Sequence, residues 1–268
     1  MVDVTKAHAI VTGGSSGIGR AVARQLAARG ARLSLLARRQ DLLDETAGEL
    51  RAAGRQVETA SVDVADRDAV TAAVERVCGV LGPCDVLVTS AGMVEPGYFS
   101  ALPDEVFGQT MDVDYFGTLW PIRAVVPSMV ERRSGSIVGV SSGAGLVGVF
   151  GYSAYSPAKF AVRGLLEVLR CELAPYGVHV GCACPPDTDT PQLAYENQIK
   201  PPETAAISGA IKPLSAERVA RSIVRGIERE RFLITADAQT KLLARLTGLA
   251  PGLLQGMFDR TVRKAQRQ

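Results

Sequence analysis

The stretch that most restricts how this chain can fold lies near its start. His8-Ala9-Ile10-Val11-Thr12 is a short apolar run that reads as a buried strand, and Gly13-Gly14-Ser15-Ser16-Gly17-Ile18-Gly19 follows it directly. A helical run to Arg29 comes next, with Ala21, Val22, Leu26 and Ala27 as its apolar residues. Strand, glycine turn and helix in that order form a phosphate cradle. Glycine lets the backbone approach a pyrophosphate, whose charge then sits at a helix N-terminus. The spacing here is G-x-x-x-G-x-G, not the G-x-G-x-x-G of the commonest dinucleotide fingerprint. Alone, such a turn is only a tight loop. Between a strand and a helix it reads as a nucleotide site made by Gly13, Ser15, Ser16, Gly17, Ile18 and Gly19.

The alternation then repeats. A second strand spans Arg32 to Ala37, followed by a polar helix over 41–53 and a strand over 56–61 that leads to Asp63-Val64. A helix over 66–81, a strand over 85–89 closing on Ser90-Ala91-Gly92, and a long helical region over 103–132 follow. Strands near 136–140 and 178–184 flank a helix near Tyr155, and a helix over 218–230 precedes a last strand over 232–235. Repeated strand–helix units with near-continuous apolar strands predict an α/β, Rossmann-type, doubly wound parallel sheet flanked by helices. A chain of 268 residues with 47% apolar and 22% charged residues suits one large core. Residues 1–240 are expected to form that single domain. Residues 191–214 interrupt the alternation where α/β ligands bind, and read as a small lid or else a bland surface insertion. The remainder, 241–268, reads as an amphipathic, basic helical tail. It sets Leu242, Leu243, Leu246, Leu249, Leu253, Leu254, Met257 and Phe258, with Pro251 breaking the run, among Lys241, Arg245, Arg260, Arg263, Lys264 and Arg267. Such a tail suits peripheral contact with an anionic membrane as well as it suits packing on the chain or on a sister subunit.

Composition excludes several classes. A net charge of +2 argues against a nucleic-acid binder. Five cysteines without a C-x-x-C pair suit a reducing cytosol, and only two histidines leave no metal site expected. A cytoplasmic place, peripheral at a membrane if the tail docks there, is the expectation.

The second strand ends in Arg38-Arg39, about twenty residues past the glycines, where dinucleotide sites place the group that reads the adenosine ribose. A carboxylate there suits a 2′-hydroxyl; a guanidinium suits a 2′-phosphate, so NADPH is the expected cofactor. The alternative is an ordinary solvated basic strand end.

Tyr155-Ser156-Pro157-Ala158-Lys159 places a phenol and an ammonium on one helical face. Proline is tolerated only in a helix's first turn, so this helix must begin near Tyr155. A positive charge nearby favours the phenolate and is expected to lower the phenol's pKa from its usual ~10. Ser142, after the strand ending at Val140, could hydrogen-bond a substrate oxygen while Tyr155 delivers a proton. Taken alone, Tyr-x-x-x-Lys is more often a packing pair.

Thr12 through Gly19, Asp63-Val64, Ser90-Ala91-Gly92, Ser142 and Tyr155-x-x-x-Lys159 occur in one order. Together they resemble the short-chain dehydrogenase/reductase family over roughly residues 5–235. Ala37-Arg38, Ala91-Gly92-Met93, Met129 to Arg133, Pro185-Pro186-Asp187-Thr188-Asp189-Thr190-Pro191, Glu196-Asn197 and Lys200-Pro201 resemble its 3-ketodihydrosphingosine reductase branch. The resemblance implies NADPH-dependent reduction of the 3-keto group of a long-chain sphingoid base. Tyr155 would protonate the developing alkoxide, Ser142 would orient the carbonyl, and Lys159 would hold the nicotinamide ribose. Thr188 and Thr190 would face the nicotinamide carboxamide, Asp63 and Val64 would flank the adenine, and Pro185 would also bind the cofactor. Ser90, Ala91 and Gly92 would complete the site, with Ser15, Ser16, Arg38 and Arg39 at the 2′-phosphate. A homo-oligomer built on the helices near 103–132 and 152–176 is implied too. Two departures stand out. Thr89 and Ser90 stand where the family usually carries asparagine, and a hydroxyl there is expected still to tie adjacent strands. Asp114 stands where the family has an asparagine that supports a proton relay. An ionised carboxylate would pair with Lys159 and partly cancel its influence on Tyr155, whereas a protonated or water-bridged one would keep the relay, and slower but real turnover is the expectation. A reductase for another lipid or steroid ketone, and a non-catalytic NADPH-binding protein at a membrane, are the competing readings.

Overall fold

The apolar runs become the strands of one parallel sheet in the computed structural model, which describes residues 2–208 and 212–267. These strands are β1 (His8–Thr12), β2 (Arg32–Ala37), β3 (Val57–Ser61), β4 (Val86–Thr89), β5 (Gly135–Val140) and β6 (Val178–Ala183). The short β7 (Thr188–Asp189) and β8 (Leu214–Ser215) pair apart from it, and β9 (Leu233–Ile234) closes its edge. The order is β3-β2-β1-β4-β5-β6-β9, the expected doubly wound, Rossmann-type arrangement.

Side-chain alternation along each strand splits the interior into two layers. Ala9 and Val11 of β1, with Leu33 and Leu35 of β2, face one layer; Ile10 and Leu36 face the other. Helices α1 (Gly17–Ala28), α2 (Gln40–Ala52) and α9 (Ala216–Glu228) cover the first. Helices α3 (Arg67–Leu81), α5 (Gly117–Arg132) and α6 (Tyr155–Leu173) cover the second. Being buried on both faces is why these strands read as continuous apolar runs. Each fully buried Leu or Ile stabilises the fold by roughly 1.5–3 kcal/mol.

From β1 the chain winds outward to β3, then returns to place β4 on the other side of β1. The carboxyl ends of β1 and β4 therefore diverge into a crevice, where such sheets bind ligands. Thr12 Oγ1 accepts from the Ser90 and Ala91 amides at 3.1 and 3.3 Å, tying the two loops that leave these strands. This corrects the sequence expectation. The tie comes from Thr12, whereas Thr89 Oγ1 is buried with no hydrogen-bond partner among the described residues.

The helical region expected over 103–132 is not one regular helix. It comprises α4 (Asp104–Thr110), a π-helical turn at Met111–Phe116, and α5. The wider turn carries Asp114 inward to complete burial. Other boundaries differ from expectation by a residue or two, as helix and strand ends do.

The lid stretch holds α7 (Pro191–Ile199) and α8 (Pro202–Ser208), separated where Pro201 and Pro202 disfavour helix in the residue before each. Its positions 209–211 lie outside the described residues. The tail forms α10 (Ala238–Leu249) and α11 (Pro251–Ala265), and α11 packs against α8. Among the described residues no helix is long and apolar enough to cross a membrane.

Candidate active site

One cavity of about 630 Å³ opens at the sheet's carboxyl edge, and every candidate residue named from the sequence lines it except Asp114. The turn after β1 forms one wall. Gly13 and Gly17 hold φ of +66° and +52°, where side chains are strained. A Cβ on Gly13 would meet Ser90 O and Ala91 N at 2.8 Å, and one on Gly19 would collide with the Gly13 carbonyl. Ser16 precedes α1 without capping it through its side chain, so the first-turn amides of α1 are left to an outside acceptor. Uncapped amides facing a cavity fit a dinucleotide's pyrophosphate.

Arg38 and Arg39 stand exposed on the rim, and Arg38 Nη1 lies 3.9 Å from Asp63 Oδ2 with both side chains largely in solvent. Such a pair is worth little, so Arg38 remains available to a phosphate. Pro185, Thr188 and Thr190 line the cavity too, with Thr190 beside the glycine turn, where a Cβ on Gly17 would come within 3.2 Å of its methyl. The two threonine hydroxyls are committed locally. Thr188 Oγ1 donates to Pro186 O at 2.8 Å, while Thr190 Oγ1 donates to Thr188 O at 3.1 Å and accepts from the Leu193 amide at 3.2 Å, capping α7.

Tyr155 is the first residue of α6, and Pro157 falls in the first turn, where its missing N–H costs nothing. Ser142 begins a short 3₁₀ turn after β5, its Oγ accepting from the Ala144 amide at 3.1 Å and hydrogen-bonding the Tyr155 phenol. Lys159, one turn along α6, is buried, with its Nζ 5.4 Å from the Tyr155 ring centre. It also donates to Val140 O at 3.4 Å.

Asp114 is brought to the same spot from behind. Its Oδ2 lies 3.5 Å from Lys159 Nζ, and its Oδ1 accepts from the Met93 amide at 2.8 Å. Burial pushes the Asp114 carboxyl up, and the Lys159 ammonium opposes that. The expectation that Lys159 lowers the Tyr155 pKa is corrected here. The phenol is held above its ordinary value, first by burial, then by the charges of Asp114 and Glu196, against a lowering hydrogen bond from Ser142. Lys159 is drawn into an ion pair, so its effect on the phenol is partly cancelled.

The far wall was not legible as part of the site. Leu243 of α10 and Leu254, Met257 and Phe258 of α11 reach the cavity, making one side apolar. Tyr152, Asp187, Gln192 and Glu196 line it as well. From the sequence, Asp187 and Glu196 appear only as markers of the resemblance, and the helical spacing of Leu254, Met257 and Phe258 shows an apolar face without its target.

The family model described as short chain dehydrogenase matches residues 7–200. A 3-ketodihydrosphingosine reductase of Bos taurus is 42% identical over 259 residues, spanning 94% of this chain and 78% of that protein. A 3-dehydrosphinganine reductase of Danio rerio is 41% identical over 251 residues, spanning 91% and 76%. Among solved structures, a short chain dehydrogenase/reductase from Burkholderia phymatum in complex with NAD superposes with a TM-score of 0.84 at 25% identity, covering 95% of this chain and 97% of that one. An actinorhodin polyketide ketoreductase variant with NADPH gives 0.79 at 28% identity, covering 88% and 97%.

Proposed function

This chain belongs to the short-chain dehydrogenase/reductase family, and from that premise we propose that it reduces the 3-keto group of 3-ketodihydrosphingosine to dihydrosphingosine with NADPH. What supports the reading is a single cavity that joins Ser142, Tyr155 and Lys159 to the apolar wall of Leu243, Leu254, Met257 and Phe258. Polar reacting groups and apolar side chains lining one cavity suit a keto-lipid. NADPH supplies the hydride when bound. The chain's own residues do the rest. The raised pKa keeps Tyr155 protonated at neutral pH, the form a ketone reduction consumes, and the phenol gives its proton to the oxygen as it becomes an alkoxide. Ser142 holds that oxygen through its hydroxyl, so its dipole acts where charge develops. Lys159 holds the nicotinamide ribose, the Gly13–Gly19 turn holds the pyrophosphate, and Arg38 with Arg39 holds the 2′-phosphate.

The test is NADPH oxidation followed by absorbance with 3-ketodihydrosphingosine in micelles, with NADH as control. Turnover that prefers NADPH is expected. Cofactor binding without turnover on this ketone would transfer the reading to another lipid or steroid ketone.

Asp114 gives a second expectation. Asp114→Asn keeps an acceptor for the Met93 amide but removes a charge that raises the Tyr155 pKa. The phenol's pKa therefore falls, and the loss of reductase activity at high pH begins at lower pH than in wild type. A superimposable pH–rate profile would remove Asp114 from the mechanism.

Two finer readings accompany the activity. Lys241, Arg245, Arg260, Arg263 and Lys264 are exposed on the tail beside exposed Leu242, Leu249 and Met257, which suits contact with an anionic lipid surface. Phe160 and Val168 stand exposed on α6 and suit a second copy of the chain. Sedimentation with neutral and anionic vesicles reads the first. Light scattering reads the second, and a monomer would refute it.

A further inference from the structure

We propose that Glu196, with Asp187, receives the ammonium group of an amino-ketone substrate and so selects 3-ketodihydrosphingosine over ketones lacking the amine. The proposal rests on the ketone-reductase reading above and names the groups that would choose its substrate.

Position comes first. Glu196 Oε2 accepts from the Tyr152 hydroxyl at 2.7 Å, and the Tyr152 ring meets the Tyr155 ring edge-on with centres 5.5 Å apart. The carboxylate thus stands one aromatic ring away from the proton donor, on the cavity wall. In this substrate the amine sits on the carbon next to the ketone. With the carbonyl oxygen at Ser142 and Tyr155, the ammonium must lie close by, whichever way the alkyl chain runs.

Charge comes second. Glu196 is only 8% exposed, yet among the described residues neither it nor Asp187 forms an ion pair with a lysine or arginine. Lys200, the basic group that both carboxylates feel, bonds Ser208 Oγ through its Nζ at 3.0 Å. Burial pushes the Glu196 carboxyl up, hydrogen bonds from Tyr152 and Gln192 oppose this, and the nearby Asp187 adds to it. A buried carboxylate beside a second one is costly unless a cation joins it, and an incoming ammonium is equally costly to desolvate without a counter-charge. Each meets the other's need in this cavity.

The bland alternative is that Glu196 only fastens α7 to Tyr152. The two readings separate on a ratio: kcat/KM for 3-ketodihydrosphingosine over kcat/KM for its analogue carrying hydrogen in place of the amine. Wild type is expected to favour the amine on the order of 10²-fold, because a site built around a polar partner rejects a substrate that leaves it unpaired. Glu196→Gln should lower that ratio at least ~10-fold, with Asp187→Asn acting in the same direction. Tyr152→Phe removes the fastening hydrogen bond but keeps the charge, so the ratio should survive. Loss of turnover on both ketones alike in Glu196→Gln, with the ratio kept, would overturn the proposal. If Glu196→Gln does not fold, wild type and Asp187→Asn decide: equal kcat/KM on the two ketones in wild type overturns it. Reduction of both ketones without preference leaves the reductase reading standing and this one fallen. Reduction of neither removes both.

Discussion

Tyr155→Phe should lower kcat for ketone reduction by about 10²–10⁴-fold, the usual contribution of a positioned proton donor. The variant is close to isosteric. It keeps the edge-on packing on Tyr152 at 5.5 Å and leaves the Lys159 ammonium over the ring at 5.4 Å. The phenol's proton is lost, together with its hydrogen bond to Ser142. Stability should change by about 1 kcal/mol, the worth of one hydrogen bond, so a thermal unfolding midpoint near that of wild type serves as the control. NADPH binding, read by fluorescence titration, should persist, because the pyrophosphate cradle is made by other residues, Gly13 to Gly19. Retention of more than about a tenth of wild-type kcat would place the proton donor elsewhere.

Gly19→Ala should be nearly as damaging by a different route. The added Cβ would run into the Gly13 carbonyl and come within 2.7 Å of its carbon, with Gly14 N at 3.2 Å. These are backbone atoms, so no rotamer change relieves the contact; the turn and the start of α1 must separate. Overpacking of this kind costs about 1–3 kcal/mol. It falls on the cradle itself, so NADPH affinity should drop on the order of 10²-fold, and calorimetry with a melting curve reads both effects. Gly48→Ala is the matched control. Gly48 lies in α2 with nothing among the described residues within 4 Å of its added methyl, so the change should stabilise the helix by up to ~1 kcal/mol and leave cofactor affinity alone. Equal NADPH affinity in Gly19→Ala and wild type would show that the turn tolerates a side chain.

Much of this architecture is legible before any coordinate is known, because its signals are local. Ile10, Leu36, Leu87 and Ile137 alternate with Ala9, Leu35, Val88 and Val138 across two buried faces, which is why each strand appears as an unbroken apolar run. Pro157 falls in the first turn of α6, as the sequence suggests, because a proline there costs no hydrogen bond; the rule is a preference only, since Pro121 and Pro127 lie inside α5. The glycine turn, Ser142, Tyr155 and Lys159 each sit at the end of a strand or the start of a helix, so reading the elements also locates the residues. Other features depend on residues far apart in the chain. Asp114 points inward because a π turn rotates it, and neither its composition nor its spacing marks that turn. The Tyr152–Glu196 bond spans 44 positions, and the α11 residues that wall the cavity follow Tyr155 by about a hundred. The electrostatics at Tyr155 went the same way: spacing pairs it with Lys159, whereas burial and Asp114 set its pKa. Short-range sterics and periodicity act within one element and so can be read from order alone. Burial, pairing of charges and cavity shape arise only when elements meet, and packing alone decides which of them do.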